Sequence, residues 1–224
     1  MTPADREHYA TTGYVVLRGV VDPADLDALE GAFEHYANAY IAEPPDDPWL
    51  HTPEFAAWLG DLKPEIQAHL YEQMRGSRNL EFFGDLPELF ESVGALVGYR
   101  SVKPKATRFR MDLPHDTRHL AVWHQDHAYV GGSTDTVTAW VPLQDTPWEM
   151  GPLLVAPGTH IAEFGHDPGP NGRRVCYPVD GVKLQALPLD RGDVLLFHSL
   201  LLHSGQVNLS DRVRYSVQVR YEPL

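Results

Sequence analysis

The chain has one cysteine, few basic side chains and no long apolar run. A single thiol, Cys176, cannot close an intramolecular disulfide, which fits a reducing cytoplasm and a packed or loop thiol. Lys and Arg number 18 against 31 Asp and Glu, a formal charge of −13. Such a chain lacks the basic footprint that displaces counterions from nucleic acid or an anionic membrane, so neither is an expected partner. No window reaches the apolar length that crosses a bilayer. The opening MTPADREHYA is charged from residue 5 and has no signal-peptide core, so a cytoplasmic location is expected.

What remains is an ordinary soluble composition, 43% hydrophobic and 22% charged over 224 residues, which suits a single domain spanning 1–224. Residues 1–100 read as mostly helical. Asp22-Pro23-Ala24-Asp25 supplies an N-cap, a proline at the first helical position and an acid in the first turn. Leu26, Leu29, Ala32, Phe33 and Tyr36 then recur at helical spacing, predicting a helix over 23–40. Tyr14–Arg18 is β-rich between two glycines, EPPDDPW at 43–49 reads as a loop, and further helical patches lie near 64–75 and 87–97. From about residue 105 the texture turns to short β-like runs, at 105–111, 120–126, 135–143, 152–156, 182–187, 193–198 and 212–221. In the last, Val213, Tyr215, Val217, Val219 and Tyr221 alternate with polar residues, predicting one apolar face and one polar face that is either wet or lines a cavity.

The segment WHQDHAY, 123–129, carries the first chemical signal. With 12 His in the chain, about one His-x-Asp arises by chance, so the tripeptide alone decides nothing. On a strand, however, His124 and Asp126 would share a face, with Gln125 and His127 turned away. Two histidines and one carboxylate on one octahedral face suit non-haem Fe(II) and leave three positions open. A further histidine is then needed, and GDVLLFHSLLLHSGQVN at 192–208 offers His198 and His203.

Further motifs follow in order: MGPLLVAPGTH at 150–160, RGDVLLF at 191–197, HSGQVN at 203–208 and RYS at 214–216. With WHQD, this series resembles the phytanoyl-CoA hydroxylase-like (PhyH) family of Fe(II)- and 2-oxoglutarate-dependent dioxygenases, through roughly the second half of the chain. The resemblance implies a mainly β fold with flanking helices, a double-stranded β-helix (jelly-roll, cupin-like) core over 101–224. It also implies a metal held by His124, Asp126 and His203, and hydroxylation, or another C–H oxidation, of a small molecule. The reaction would use O2 and decarboxylate 2-oxoglutarate to succinate and CO2. Arg214 would pair with the distal carboxylate of 2-oxoglutarate and Ser216 would hydrogen-bond it. An arginine suits that task, since its guanidinium is always charged and grips a carboxylate with two parallel bonds. Related halogenases carry a small residue in place of the acid, so Asp126 points to hydroxylation.

The basic cluster Arg100, Lys103, Lys105, Arg108, Arg110 and Arg118 has two readings. It is a solvated strand and loop, or Arg110 in particular reaches inward to bind an anionic substrate or the co-substrate's metal-side carboxylate. Trp148 stands where the family more often has a small or polar residue, which could shape the substrate pocket. RGD at 191–193 and PGTH at 157–160 read as turns. The rival functional class is a non-oxidative cupin-like isomerase or small-molecule-binding protein, because fold does not dictate chemistry.

Overall fold

In the computed structural model, residues 1–41, 43, 49–98, 102–169, 172–178 and 180–223 are described. Most of EPPDDPW, and Arg100, lie outside them. The chain opens with α1 (Pro3–Thr12), β1 (Tyr14–Leu17) and α2 (Pro23–Asn38), followed by α3 (Pro53–Asp61), α4 (Pro64–Arg75), α5 (Arg78–Gly84) and α6 (Pro87–Leu96). The long strand β2 (Val102–Asp112) and the single turn α7 (His127–Val130) precede β3 (Val137–Pro142) and β4 (Leu153–Val155). Then come β5 (Asp167–Pro168), β6 (Arg174–Val175), β7 (Gln185–Leu187), β8 (Val194–His198), β9 (His203–Ser204) and β10 (Arg214–Pro223).

Local chemistry explains the helix starts. Asp22 accepts from the Ala24 amide at the head of α2, as its sequence predicts. Three helices without a strong apolar period were missed, yet each has a cap. Thr2 and Asp5 close a capping box on α1, Thr52 caps α3 and Ser77 caps α5. Helices hold more residues than strands, so the fold is mixed, with antiparallel sheets, rather than mainly β. The expectation underweighted these short capped helices.

The larger sheet runs β1-β8-β3-β10-β2 and the smaller β7-β4-β9, every pairing antiparallel. Both faces of the central strands are covered. Val137, Ala139 and Val141 of β3, with Val213, Tyr215, Val217, Val219 and Tyr221 at β10, join the helices in one core. There Phe33 of α2 lies 5.1 Å from Phe109 and 5.6 Å from Tyr215, ring centre to ring centre. Burying a side chain of that size stabilises by roughly 1.5–3 kcal/mol. On the opposite face Trp140, Leu195 and Phe197 meet Leu153, Val155 and Leu187 of the smaller sheet. The rest of that inner face is polar and forms the site.

Residues 120–126 are not a strand: only His124 pairs, in an isolated bridge with His203. Asp126 then turns into αR conformation at the head of α7. His127 therefore sits in that helical turn, not on the opposite face of a strand. Gly151 fixes the approach to β4, with φ +68° and the carbonyl oxygens of Gln206 and Val207 only 2.6 Å from where a Cβ would stand.

Candidate metal centre

His124 and His203 are drawn together by their backbones, each amide donating to the other's carbonyl at 3.0 Å. Their ring centres lie 4.2 Å apart. The Nδ1 of His124 faces the Val122 carbonyl at 2.6 Å, and that of His203 faces the Leu201 carbonyl at 2.9 Å. A carbonyl can only accept, so each Nδ1 carries a proton and Nε2 is the nitrogen left free for another partner. Both Nε2 atoms turn towards Asp126 Oδ1, at 3.5 and 3.9 Å. One ligand atom from each of the three residues lies within 4.8 Å of the others. Burial and the neighbouring His124 push the His203 imidazole down to about 3, which keeps it neutral.

The second oxygen of Asp126 is occupied elsewhere. Thr138 Oγ1 donates to Oδ2 at 2.7 Å, while Arg220 donates Nε to Oδ2 and Nη2 to Oδ1, each at 3.0 Å. Burial opposes the charge on Asp126, but Arg220 and then the two imidazoles hold the carboxyl well below the usual range. Gln125, wholly buried, does turn away. Its amide nitrogen donates to the carbonyls of Ala162 and Leu200, and its oxygen accepts from the Phe164 amide.

The other three predicted site residues lie on the β2–β10 ladder, where Arg214 pairs with Asp112, Ser216 with Arg110 and Gln218 with Arg108. Arg214 is buried, with Nη2 2.8 Å from Asp112 Oδ2 and Nη1 donating to Met150 O at 3.3 Å. Its Nε, and Ser216 Oγ two residues on, are buried without a hydrogen-bond partner among the described residues. Arg110 donates Nη2 to Asp112 Oδ1 at 2.6 Å and to His119 O at 3.3 Å. Asp112 thus bridges two guanidiniums. Burial works against its charge, and Arg110 and Arg214 override that, holding the carboxyl well below its ordinary value.

His124, Asp126, His203, Arg110, Arg108 and Arg220 open onto one cavity of about 670 Å³, within the range of small-molecule sites. His198 lies elsewhere, ending β8 beside His160 and Tyr9. Trp148 is two-thirds exposed over a different depression, beside Arg191 and Arg212, so it does not shape this cavity. The RGD aspartate, Asp193, binds Arg18 and the amides of Gly19 and Asp190, as a turn would.

Asp112, Thr138 and Arg220 were missed as site residues. The strand read over 105–111 stopped one position short of Asp112, though its alternation with Arg108 and Arg110 was visible. Arg220 shares the polar face of the 212–221 run with Arg214 by alternation, but its partner Asp126 is decided by folding alone.

The sequence profile of the phytanoyl-CoA dioxygenase (PhyH) family matches residues 9–216. A 1-deoxypentalenic acid 11-beta-hydroxylase of Streptomyces arenae is 34% identical over 117 positions, and its counterpart from Streptomyces exfoliatus is 32% identical. Each match takes in 46% of this chain and only 41% of the relative's length. Among solved structures, the epimerase SnoN in complex with Fe3+, alpha ketoglutarate and nogalamycin RO superposes with a TM-score of 0.67 at 20% identity, covering 98% of this chain and 82% of that one. The non-heme monooxygenase ThoJ superposes with a TM-score of 0.69 at 19% identity, covering 97% and 76%. At these identities the superpositions speak for the fold.

Proposed function

Because the chain belongs to the phytanoyl-CoA dioxygenase family, we propose that it is an Fe(II)- and 2-oxoglutarate-dependent oxygenase that hydroxylates, or otherwise oxidises a C–H bond of, a small molecule. The observation that carries this reading is the donor set: two imidazoles with their Nε2 atoms turned inward and one carboxylate oxygen, all within reach of one ion. That set is the 2-His-1-carboxylate arrangement of non-haem Fe(II) oxygenases, with half of the metal left open.

Two side chains of the β2–β10 ladder, though not among the residues lining the cavity, suit the co-substrate as well. Arg214 Nε and Ser216 Oγ are polar, buried and unpartnered, which is costly unless something completes them. The distal carboxylate of 2-oxoglutarate would accept from both. When bound, Fe(II) would supply the redox chemistry that couples decarboxylation of the keto acid to succinate and CO2 with oxidation of the substrate by O2. The chain's own tasks are to bind and to orient. His124 and His203 offer Nε2, Asp126 offers Oδ1 while Thr138 and Arg220 restrain Oδ2, and Arg110 stands at the wall for the keto acid's other carboxylate or the substrate.

The core reads as a double-stranded β-helix. The order β2-β10-β3-β8 of one sheet faces the order His124-β9-β4-β7 of the other, which is the alternation such a helix requires. One hydrophobic core spans residues 15–221, which supports a single domain. A buried lone Cys176 suits a cytoplasmic setting, and no described helix is long and apolar enough to cross a membrane. The bacterial hydroxylase relatives act on 1-deoxypentalenic acid, and SnoN binds nogalamycin RO. A small natural product of specialised metabolism is the substrate class they suggest. The cupin-like alternative leaves Arg214 and Ser216 without a purpose.

Anaerobic titration with Fe(II) and 2-oxoglutarate tests the reading. A weak visible charge-transfer absorption should develop in the wild type and vanish in His124→Ala and Asp126→Ala. Its absence from well-folded wild-type protein overturns the assignment.

A further inference from the structure

The cavity at the candidate centre is cationic in a strongly acidic protein. Lys105, Arg108, Arg110, Arg173 and Arg220 line it, with Asp126 the one lining carboxylate among the described residues, although the whole chain carries −13. Three of these cations have carboxylate partners: Lys105 has Glu222 at 3.2 Å, Arg220 has Asp126 at 3.0 Å, and Arg110 has Asp112 at 2.6 Å, which it shares with Arg214. Arg108 and Arg173 have none among the described residues. Among the described residues Arg108 donates only to Thr107 O, at 3.3 Å, and Arg173 only to Leu120 O.

Loading the centre would not consume this surplus. The charges of Fe(II) and the 2-oxoglutarate dianion would cancel, and Arg110 and Arg214, with the one Asp112 carboxylate between them, keep a further positive charge. Two guanidiniums at a partly enclosed, low-dielectric wall focus a positive potential on whatever enters. The remaining lining is apolar and aromatic, with Phe109, Val122, Tyr129, Val130 and Leu153. Arg108 stands exposed, while Arg173 is half-buried, and both line this one cavity.

We propose that the substrate is an amphiphilic organic acid, its anionic group gripped by Arg108 and Arg173 and its apolar body laid along the Val122, Tyr129 and Leu153 wall over the metal. Guanidinium pairs are suited to this because each offers two parallel donors to a carboxylate. The identity of the molecule as a substrate rests on the oxygenase reading; the anion grip does not.

Two dyes with the same apolar body isolate the charge: 1-anilinonaphthalene-8-sulfonate and its uncharged counterpart N-phenyl-1-naphthylamine. With Fe(II) and 2-oxoglutarate present under argon, wild-type protein should bind the sulfonate at least about tenfold more tightly, the scale of one charge-assisted contact. Arg108→Gln and Arg173→Gln should each remove most of that preference while leaving the neutral dye unchanged. The exposed control Arg75→Gln should leave both dyes unchanged. Among the described residues the Arg108 side chain donates only to its neighbour's carbonyl, so its variant should fold even if that of Arg173 does not. Equal binding of the two dyes, or a preference untouched in Arg108→Gln, overturns the proposal. If the sulfonate preference holds but wild-type protein shows no Fe(II)–2-oxoglutarate absorption, the oxygenase reading fails and the anion grip stands.

Discussion

Arg220 grips the carboxylate of Asp126 with two hydrogen bonds of 3.0 Å each. With Thr138 on Oδ2, this leaves Oδ1 as the oxygen turned to the imidazoles and fixes the ligand before any ion arrives. A guanidinium so close also repels a cation, so two effects compete. Partners that orient a ligand are worth about 10–100-fold in metal affinity. Arg220→Gln should therefore weaken Co(II) binding, used as a spectroscopic stand-in for iron, by at least about tenfold. Tighter binding in that variant would mean that repulsion outweighs orientation.

The choice between the two downstream histidines is tested by metal content. His203→Ala should purify with little bound iron after anaerobic reconstitution, whereas His198→Ala should retain a full complement. The reverse result would move the third ligand to His198 and contradict the placement of the two side chains.

Arg214 and Ser216 should separate by magnitude. Losing a buried charged partner typically costs 2–5 kcal/mol, so Arg214→Gln should raise the apparent KM for 2-oxoglutarate by on the order of 100-fold. A neutral hydrogen bond is worth about 1 kcal/mol, so Ser216→Ala should raise it by only several-fold. Arg214→Lys should recover part of the loss, since it restores charge without the planar fork. An unchanged KM in Arg214→Gln would place the keto acid elsewhere.

Asp112 should stabilise the fold in a pH-dependent way. Its carboxyl is held well below the usual value by Arg110 and Arg214. Its contribution is therefore fully present above the unfolded value near pH 4, and is lost as pH falls further towards the folded value. Asp112→Asn should cost roughly 2–4 kcal/mol at neutral pH, since it breaks a buried pair. Urea unfolding should show that gap unchanged from pH 7 to 5 and narrowing below 4; a gap that closes by pH 5.5 would refute the linkage.

Gln125 should matter for folding. Replacing it with Leu removes three hydrogen bonds and strands the backbone groups of Ala162, Phe164 and Leu200. The bond to Leu200 is buried and the other two are partly buried; one stranded buried group costs about 1–3 kcal/mol, so the variant should lose at least that much in denaturant unfolding. Its residual folded fraction should still bind metal, because the ligands are untouched; metal loss without a stability change would assign Gln125 to the centre itself.

The sequence by itself determined what depends on neighbours along the chain and on residue chemistry. The helix caps, the apolar period of α2, the two-faced pattern of β10 and the ordered motifs from WHQD to RYS are all of that kind. Those ordered motifs, through the family they resemble, named His124, Asp126, His203 and Arg214. Tertiary structure decided what depends on the register between distant segments. The backbone bridge sets His203, and not His198, beside His124, and a turn after Gln125 aims Asp126 inward where a strand was expected. The β2–β10 register sets Asp112 between Arg110 and Arg214, and Arg220 finds Asp126 across the barrel. Alternation tells which face a side chain occupies, but only strand pairing and closure of the two sheets determine which other side chain it meets.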